Sequence, residues 1–312
     1  LGGFALMSRF LETKPEGGAA ARKKSRASGK SKTSRTSERH SRSAALSQLS
    51  PVDKNPCMSI HPTSIIEADA RLGEGVRLGP YAVIERDTLI GDECEIRAHA
   101  SIKRFTTLGR ANVVYEGAII GGEPQDIGFQ ECESYVHIGE GNRIREGVTV
   151  HRGTEPGSET LIGSDCFLMA CSHVAHDCRL GDRVILANNV ALAGHIRIGD
   201  QAFLSGGVVV HQFCRIGRLA MVGGNSKIVQ DCLPFVITDG VPGRACGLNT
   251  VGLRRAGIKT AEIQPLKQAY RLLLRSSLGL EEALERMSEI ESPLVEEMIE
   301  FARSSRRGFC RE

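Results

Sequence analysis

Aliphatic residues recur at every sixth position along most of the chain. From Ile60 to Ile228, isoleucine, leucine or valine occupies 26 of the 29 positions in this register. An amphipathic helix repeats every 3.6 residues and an ordinary strand every two, so neither explains a period of six. A parallel β-helix does, because each hexapeptide forms one flat face of a coil and places a large aliphatic side chain inside. The pattern therefore predicts an all-β parallel β-helix over residues 58–233.

Three positions break the series, and they lie in two short stretches. Asp126 and Cys132 interrupt it first, and Pro156 interrupts it again. The register resumes in phase after each break, so each inserted segment contains a whole number of hexapeptides. We expect two loops that leave the β-helix and return to it.

The fifth position of each hexapeptide is mostly small, which suits a side chain that shares a narrow interior with a larger neighbour. Five of the ten cysteines occupy this position. Free cysteine packs as a small hydrophobic residue, so we expect these five to be reduced core residues. They are Cys94, Cys166, Cys178, Cys214 and Cys232. Reduced thiols favour a cytoplasmic protein.

The register ends at Ile228, and a segment with prolines and glycines follows. We interpret residues 234–258 as a connector. From about Thr260 apolar residues recur at helical spacing, and further helices are predicted at about 280–290 and 293–304. Residues 259–312 are therefore expected to form a small α-helical domain that caps one end of the β-helix.

Residues 1–56 contain twelve Lys and Arg against four Asp and Glu, which together with abundant Ser and Gly predicts a disordered basic tail. Three interpretations stay open. The tail is an upstream extension of the true start, since Met58 lies just before the first hexapeptide, or an organelle transit segment, or a charged interaction arm.

The rest of the chain contains 28 basic and 33 acidic residues, so no nucleic-acid-binding surface is expected. No apolar run approaches the roughly 20 residues that a membrane span needs.

Counting in coils of three hexapeptides brings histidines together. The hexapeptides that begin at Val174, Leu192 and Val210 lie on one face of three successive coils, about 4.8 Å apart. They carry His176, His195 and His211, and His173 precedes the same face. None of these histidines occupies an inward position, so we expect them on one exposed, outward-facing wall.

Two kinds of chemistry suit this wall. A neutral histidine accepts a proton from a hydroxyl near pH 7, and Asp177 beside His176 would support the imidazolium that forms. Alternatively, the three histidines bind zinc, as in hexapeptide-repeat carbonic anhydrases. The neighbouring Gly194 and Gln212 favour a site that hydrogen-bonds a sugar and leaves backbone N–H groups free.

Longer strings of sequence accompany the repeats. Over roughly residues 59–312 they resemble the family of UDP-N-acetylglucosamine O-acyltransferases. The strings are RIREGVTVHRGT (143–154), HVAHDC (173–178), ILANNVALAGH (185–195), VHQFCRIG (210–217), MVGG (221–224), GLNTVGLRR (247–255) and FARSSRRG (301–308).

This resemblance implies a left-handed β-helix and a cytoplasmic homotrimer with active sites between neighbouring chains, without a cofactor or a bound metal. It also implies a reaction, the transfer of an (R)-3-hydroxyacyl group from acyl carrier protein to the glucosamine 3-hydroxyl of UDP-N-acetylglucosamine. That transfer is the first step of lipid A biosynthesis. A zinc carbonic anhydrase and a catalytically inactive trimeric scaffold remain the alternatives.

The resemblance also assigns roles to single residues. His176 becomes the general base, Asp177 its supporting partner, and the backbone N–H of Gly194 the donor that stabilises an oxyanion. Gly224 borders the far end of the acyl chain. The residues that the resemblance assigns to contacts with the acceptor are Asp126, His173, His195, His211, Gln212, Asn249 and Arg255.

The sequence departs from the family in the loop that contains Asp126. The family has a lysine two residues after this aspartate, whereas Gly128 stands there in this chain. Lys103, Arg104 or Arg145 is a candidate substitute for the missing cation. The other explanation is an acceptor with an amine at the 3-position, so that N-acylation replaces O-acylation.

Overall fold

The computed structural model describes residues 60–311, and its strands wind into a parallel β-helix, as the register predicts, with the left-handed sense that the resemblance implies. Strands of successive coils pair in parallel along the β-helix, so that Ile66 lies opposite Ile84 and Val174 opposite Leu192. The predicted tail, residues 1–56, lies outside the described residues.

Up to Ile228, each of the three sheets takes every third strand, and the third sheet is extended by two further strands. The first sheet consists of β1 (Ile65–Ile66), β4 (Val83–Ile84), β7 (Ser101–Ile102), β10 (Ile119–Gly122), β13 (Thr149–His151), β16 (His173–Val174), β19 (Ala191–Leu192), β22 (Val209–Val210) and β25 (Lys227–Ile228). The second sheet consists of β2 (Arg71–Leu72), β5 (Leu89–Ile90), β8 (Thr106–Leu108), β11 (Tyr135–Ile138), β14 (Glu159–Ile162), β17 (Arg179–Leu180), β20 (Arg197–Ile198) and β23 (Arg215–Ile216). The third sheet consists of β3 (Arg77–Leu78), β6 (Glu95–Ile96), β9 (Val113–Val114), β12 (Arg143–Ile144), β15 (Phe167–Leu168), β18 (Ile185–Leu186), β21 (Phe203–Leu204), β24 (Met221–Val222), β26 (Val236–Asp239) and β27 (Arg244–Leu248).

The inward residues of the three sheets form one apolar core along the β-helix. All five cysteines predicted to fill this core are buried and free, which confirms the prediction. Burial raises the pKa of the Cys178 thiol to about 12, so this side chain stays protonated and packs as an apolar group.

Two insertions lengthen the coils, as the broken register predicts. Leu108 pairs with Ile138, thirty residues later, and Ile138 pairs with Ile162, twenty-four residues later. The usual spacing of eighteen is therefore extended by two hexapeptides and then by one. The extra residues form loops at 123–134 and 152–158.

The corners between the sheets place side chains in rows. Asp177 and His195 are each the third residue after an inward position, and both adopt the left-handed conformation, with φ of 59° and 61°. Residues other than glycine rarely adopt this conformation, but the tight corner imposes it at nearly every coil. Since the coils stack, the two side chains leave neighbouring corners and meet outside the first sheet.

Residues 234–258 contain more structure than a connector. Strand β26 pairs in parallel with β24, and β27 then pairs with β26 in antiparallel fashion, which extends the third sheet by a hairpin. Four helices follow, namely α1 (Thr250–Arg255), α2 (Thr260–Leu274), α3 (Leu280–Ser288) and α4 (Pro293–Arg303).

The helices cap the C-terminal end of the β-helix, as predicted. Their apolar faces bury Leu253, Leu266 and Met298 against Leu219 and Phe235 of the last coil. Within residues 60–311, none of the helices combines the length and apolar character that crossing a membrane requires.

Candidate active site

His176 and Asp177 form a hydrogen-bonded pair at the corner after β16. His176 Nδ1 lies 2.9 Å from Asp177 Oδ2. An ionised carboxylate only accepts hydrogen bonds, so Nδ1 of the neutral imidazole carries the proton in this pair. The lone pair on Nε2 is then available to accept a proton from another group.

Asp177 is held in its ionised form. Thr154 donates to Asp177 Oδ2 through its hydroxyl at 2.8 Å and through its backbone N–H at 3.2 Å. Burial by itself would raise the pKa of Asp177, but hydrogen bonds from His176, Thr154 and Ser158 outweigh it, with the nearby His195 contributing. Together they hold the pKa at about 2, so the carboxylate is charged at neutral pH.

The imidazole of His176 lies beneath its neighbours. Its side chain is 11% exposed, whereas that of His195 is 38% exposed and His211 lies at the surface. The His195 ring meets that of His176 edge to face, with centroids 5.1 Å apart, and Phe213 stacks on the other side of His195. The prediction of an exposed wall is therefore correct for His211 and holds in part for the half-buried His173 and His195. It is wrong for His176, because residues of the following coil cover it.

Gly194 packs directly against the His176 ring and is buried. A Cβ at this position would come 2.3 Å from His176 Cε1 and 2.5 Å from Nε2. Within the described part of the chain, the Gly194 N–H donates no hydrogen bond. A free donor beside the proposed base is what stabilisation of an oxyanion requires.

Two further histidines adjoin the pair on the N-terminal side. His173 Nδ1 lies 2.7 Å from Thr149 Oγ1, and the His173 ring meets that of His151 edge to face at 4.8 Å. Burial, together with the nearby His173 and His176, lowers the pKa of His151 to about 4. Burial and the nearby His176 also lower the pKa of His173. Both imidazoles are thus biased towards the neutral form.

Sequence reasoning missed His151 and Thr154. Both follow Val150, which pairs with Val174 although it lies twenty-four residues earlier rather than eighteen. The one-hexapeptide loop causes this difference. A count from Val174 that allowed for the loop would have placed His151 on the coil next to His173, whereas Thr154 lies inside the loop, where the register gives no position.

The acceptor contacts predicted on the next coil lie at the surface. His211 Nδ1 is 3.1 Å from the backbone oxygen of Gln212 and 3.4 Å from Arg307 Nη2. Among the described residues, His211 makes its polar contacts with Gln212 and Arg307 and not with the His176–Asp177 pair. Gly224 is also exposed, and a Cβ added to it would meet Gly206 O at 3.5 Å, an ordinary contact distance.

The other predicted contacts lie away from the pair within the same chain. Asn249 is buried at the start of α1, where Oδ1 accepts from Gly252 N and Nδ2 donates to Leu219 O, both at 2.9 Å. Arg255 is exposed at the end of the same helix. Asp126 lies in the exposed loop at 123–134 and accepts a hydrogen bond from the backbone two residues later.

The same pair belongs to a group that could hold a metal ion. Ligand atoms of His176, Asp177 and His195 lie within 4.8 Å of one another. Two of the three histidines in the zinc hypothesis therefore lie close enough together to share a metal ion. His211, its third predicted ligand, is not part of the group. The hydrogen bond from His176 Nδ1 to Asp177 is instead the usual arrangement of a general base and its partner.

A left-handed β-helix with a His–Asp pair next to a free backbone N–H is the arrangement expected of a hexapeptide-repeat acyltransferase. Residues 159–194 match the family described as bacterial transferase hexapeptide (six repeats). Residues 231–310 match the family described as UDP N-acetylglucosamine O-acyltransferase, domain 2.

Whole proteins agree with these matches. An acyl-(acyl-carrier-protein)–UDP-N-acetylglucosamine O-acyltransferase of Halorhodospira halophila is 47% identical over 255 residues, which cover 81% of this chain and 99% of the relative. One of Gloeothece citriformis is 45% identical over 199 residues, 64% of this chain and 72% of the relative. The crystal structure of the UDP-N-acetylglucosamine O-acyltransferase of Moraxella catarrhalis superposes with a TM-score of 0.79 and 40% identity, covering 81% of this chain and 100% of that one.

The chain belongs to the family of UDP-N-acetylglucosamine O-acyltransferases. It is accordingly an acyltransferase. Neither the carbonic anhydrase nor the N-acylation alternative finds support among these relatives.

Proposed function

We propose that the protein transfers an (R)-3-hydroxyacyl group from acyl carrier protein to the glucosamine 3-hydroxyl of UDP-N-acetylglucosamine, the first step of lipid A biosynthesis. The observation that carries this proposal is the His176–Asp177 pair with the free N–H of Gly194 beside it. The relative from Halorhodospira halophila is named for such a transfer, and the match covers 99% of that relative's length.

The geometry suggests how the pair acts. His176 Nε2 takes the proton of the 3-hydroxyl while that oxygen attacks the thioester carbonyl. The ionised Asp177 stabilises the imidazolium, and the Gly194 N–H donates to the oxyanion of the tetrahedral intermediate. When the intermediate collapses, the thiol of the carrier leaves and recovers the proton from His176. No acyl group becomes attached to the enzyme.

We assign the remaining predicted residues to substrate binding in a homotrimer. His173, His195 and Gln212 line the wall around His176, and His211 borders it. Asp126, Asn249 and Arg255 make no contact with the His176–Asp177 pair of their own chain, which favours a site completed by a neighbouring chain. Gly224 is assigned to the acyl-chain end of the same site.

The nine cysteines within the described residues are free, which supports a reducing, cytoplasmic location.

One experiment tests donor and acceptor together. The purified enzyme is incubated with 3-hydroxyacyl carrier proteins of several lengths and with either UDP-N-acetylglucosamine or its 3-amino analogue, and the product masses are read. We expect a single 3-O-acylated product at one preferred length and none from the His176→Ala variant. Acylation of the amine alone would replace the proposal with N-acylation. Absence of every product would indicate a scaffold.

A further inference from the structure

Arg104 lies in the same row of side chains as the proposed base. Arg104, Arg152 and His176 each follow the inward residue of a strand in the first sheet by two positions. These strands are β7, β13 and β16, which lie in that order in the sheet with β10 between the first two. The three side chains therefore leave the β-helix along one edge, at the mouth of the loop at 123–134.

Glu131 of this loop is already neutralised by Arg152. The Arg152 side chain is 2% exposed, and its Nη2 donates to both carboxylate oxygens of Glu131, at 2.8 and 2.9 Å. Arg104 reaches the same carboxylate only at 3.7 Å, which is too long for a hydrogen bond. Two guanidinium groups thus adjoin one carboxylate, which forms hydrogen bonds with Arg152 and not with Arg104.

The donors of Arg104 are incompletely used. Its Nε is buried and has no hydrogen-bond partner among residues 60–311, although the side chain as a whole is 36% exposed. The guanidinium lies over the ring of Phe105, with 4.3 Å from its central carbon to the ring centroid. A buried donor without an acceptor is uncommon in native proteins, so the described residues do not fully satisfy this guanidinium. The Nε and Nη donors of arginine match pairs of oxygen atoms.

The two other cations considered from the sequence have carboxylate partners of their own. Lys103 Nζ donates to Glu85 at 2.7 Å. Arg145 donates to both carboxylate oxygens of Glu146, at 2.7 and 2.9 Å. Arg104 is therefore the member of this group that is best able to bind a ligand.

We propose that Arg104 binds oxygen atoms of the sugar-nucleotide acceptor and supplies the cation that Gly128 leaves out of the loop. This inference rests on the proposed function and specifies how its acceptor is held. Arg152 is the positioning residue in this arrangement, because it satisfies Glu131 and so leaves Arg104 to the substrate.

The first test replaces Arg104 with Gln. A hydrogen bond from a charged group contributes about 1.5–3 kcal/mol, so KM for UDP-N-acetylglucosamine should rise about tenfold to a hundredfold. KM for the acyl carrier protein and the melting temperature should stay unchanged. The matched control is Arg86→Gln, since Arg86 occupies the same row one coil earlier and its side chain is 59% exposed. This control should leave both KM values at the level of the unchanged enzyme.

The second test is a rescue. A Cβ added to Gly128 would meet only Asp126 Oδ1, at 3.3 Å, so a lysine side chain can extend from this position into solvent. Adding Gly128→Lys to Arg104→Gln should restore most of the lost affinity for the acceptor. An unchanged KM in Arg104→Gln, or a rise in both KM values together with a lower melting temperature, would overturn the inference.

Binding of UDP-N-acetylglucosamine and of UDP, measured by calorimetry, separates this inference from the proposed function. If the enzyme binds the nucleotide without acylating it, the proposed reaction fails, and the loss of binding in Arg104→Gln still decides the role of Arg104. Weakened binding of UDP itself would assign Arg104 to the diphosphate. Loss confined to the sugar nucleotide would assign it to the sugar hydroxyls.

Discussion

The backbone of Gly194 lies against the imidazole of His176, with space for a hydrogen atom on Cα but not for a methyl group. A Cβ would come 2.5 Å from Nε2, the nitrogen proposed to take the substrate proton. Gly194→Ala is therefore expected to displace His176 and lower kcat by about 10²–10⁴-fold, the usual contribution of a general base. Steady-state kinetics and thermal unfolding of the purified variant measure both consequences.

Gly206→Ala is the matched control, since Gly206 holds the same hexapeptide position in the third sheet and its Cβ would lie 3.4 Å from Asn188 O. Its kcat and its thermal unfolding should match those of the unchanged protein. Full activity of Gly194→Ala would show that the His176 ring does not need its observed position.

Asp177→Asn tests the partner of the base. The amide keeps the shape of the side chain but cannot stabilise an imidazolium, so kcat should fall by at least about tenfold while KM changes little. Thr154→Val, which removes one hydrogen bond to Asp177, should have a smaller effect in the same direction. Equal kcat values for Asp177→Asn and the unchanged enzyme would assign Asp177 to structure alone.

The same substitution has a signature in stability. The pKa of Asp177 is about 2 in the folded protein and 3.8 for a free side chain, so the unfolded chain binds the proton more readily. The carboxylate therefore stabilises the fold above about pH 4 by roughly 2 kcal/mol, and this contribution disappears as the pH falls to 2. Urea unfolding of both proteins across this range should show a difference that closes on acidification.

The low pKa of His151 should make the free energy of unfolding depend on pH in a second, higher range. Its pKa is about 4 in the folded protein against 6.5 when free, so the unfolded chain takes up the proton first as the pH falls. The free energy of unfolding should therefore decrease between pH 6.5 and 4 by up to roughly 3 kcal/mol. His151→Phe should remove this component, whereas the exposed His99→Phe should retain it. Parallel stability curves for all three proteins would contradict the buried, neutral state of His151.

The sequence predicted the parts of the site that repeat. One inward aliphatic residue per hexapeptide sets the coil, so the alignment of Val174 with Leu192 and Val210 followed from counting, and His176 and His195 followed with them. The five core cysteines were predictable for the same reason, because each stands at one fixed position of the repeat.

Other features depend on the directions in which side chains and loops point, and the six-residue repeat does not specify these directions. The burial of His176 results from the left-handed corner at His195, which turns that side chain back over the preceding coil. Thr154 reaches Asp177 only because a loop of one hexapeptide bends towards the first sheet. The hairpin of β26 and β27 replaces a predicted connector because Val236 begins a strand that pairs with the last full coil, although proline and glycine surround it.

Metal removal tests the acid–base mechanism against the zinc hypothesis. His176 Nδ1 is engaged with Asp177, and proton transfer through Nε2 needs no metal, so dialysis against a chelator should leave kcat unchanged. Elemental analysis before and after dialysis provides the comparison. Stoichiometric zinc, lost together with activity and restored with it, would instead assign His176, Asp177 and His195 as ligands.

Phe213 is expected to orient His195. The residue is 51% exposed, yet its ring lies nearly parallel to the His195 imidazole, with an interplanar angle of 7° and centroids 4.6 Å apart. Stacked aromatic pairs contribute about 0.5–1.5 kcal/mol, so Phe213→Ala should raise KM for the acceptor about two- to tenfold by freeing the His195 ring. Phe213→Tyr preserves the stack and should retain the KM of the unchanged enzyme. Identical KM values for the alanine and tyrosine variants would mean that the stack does not hold His195 in place, and the edge-to-face contact with His176 would then be sufficient.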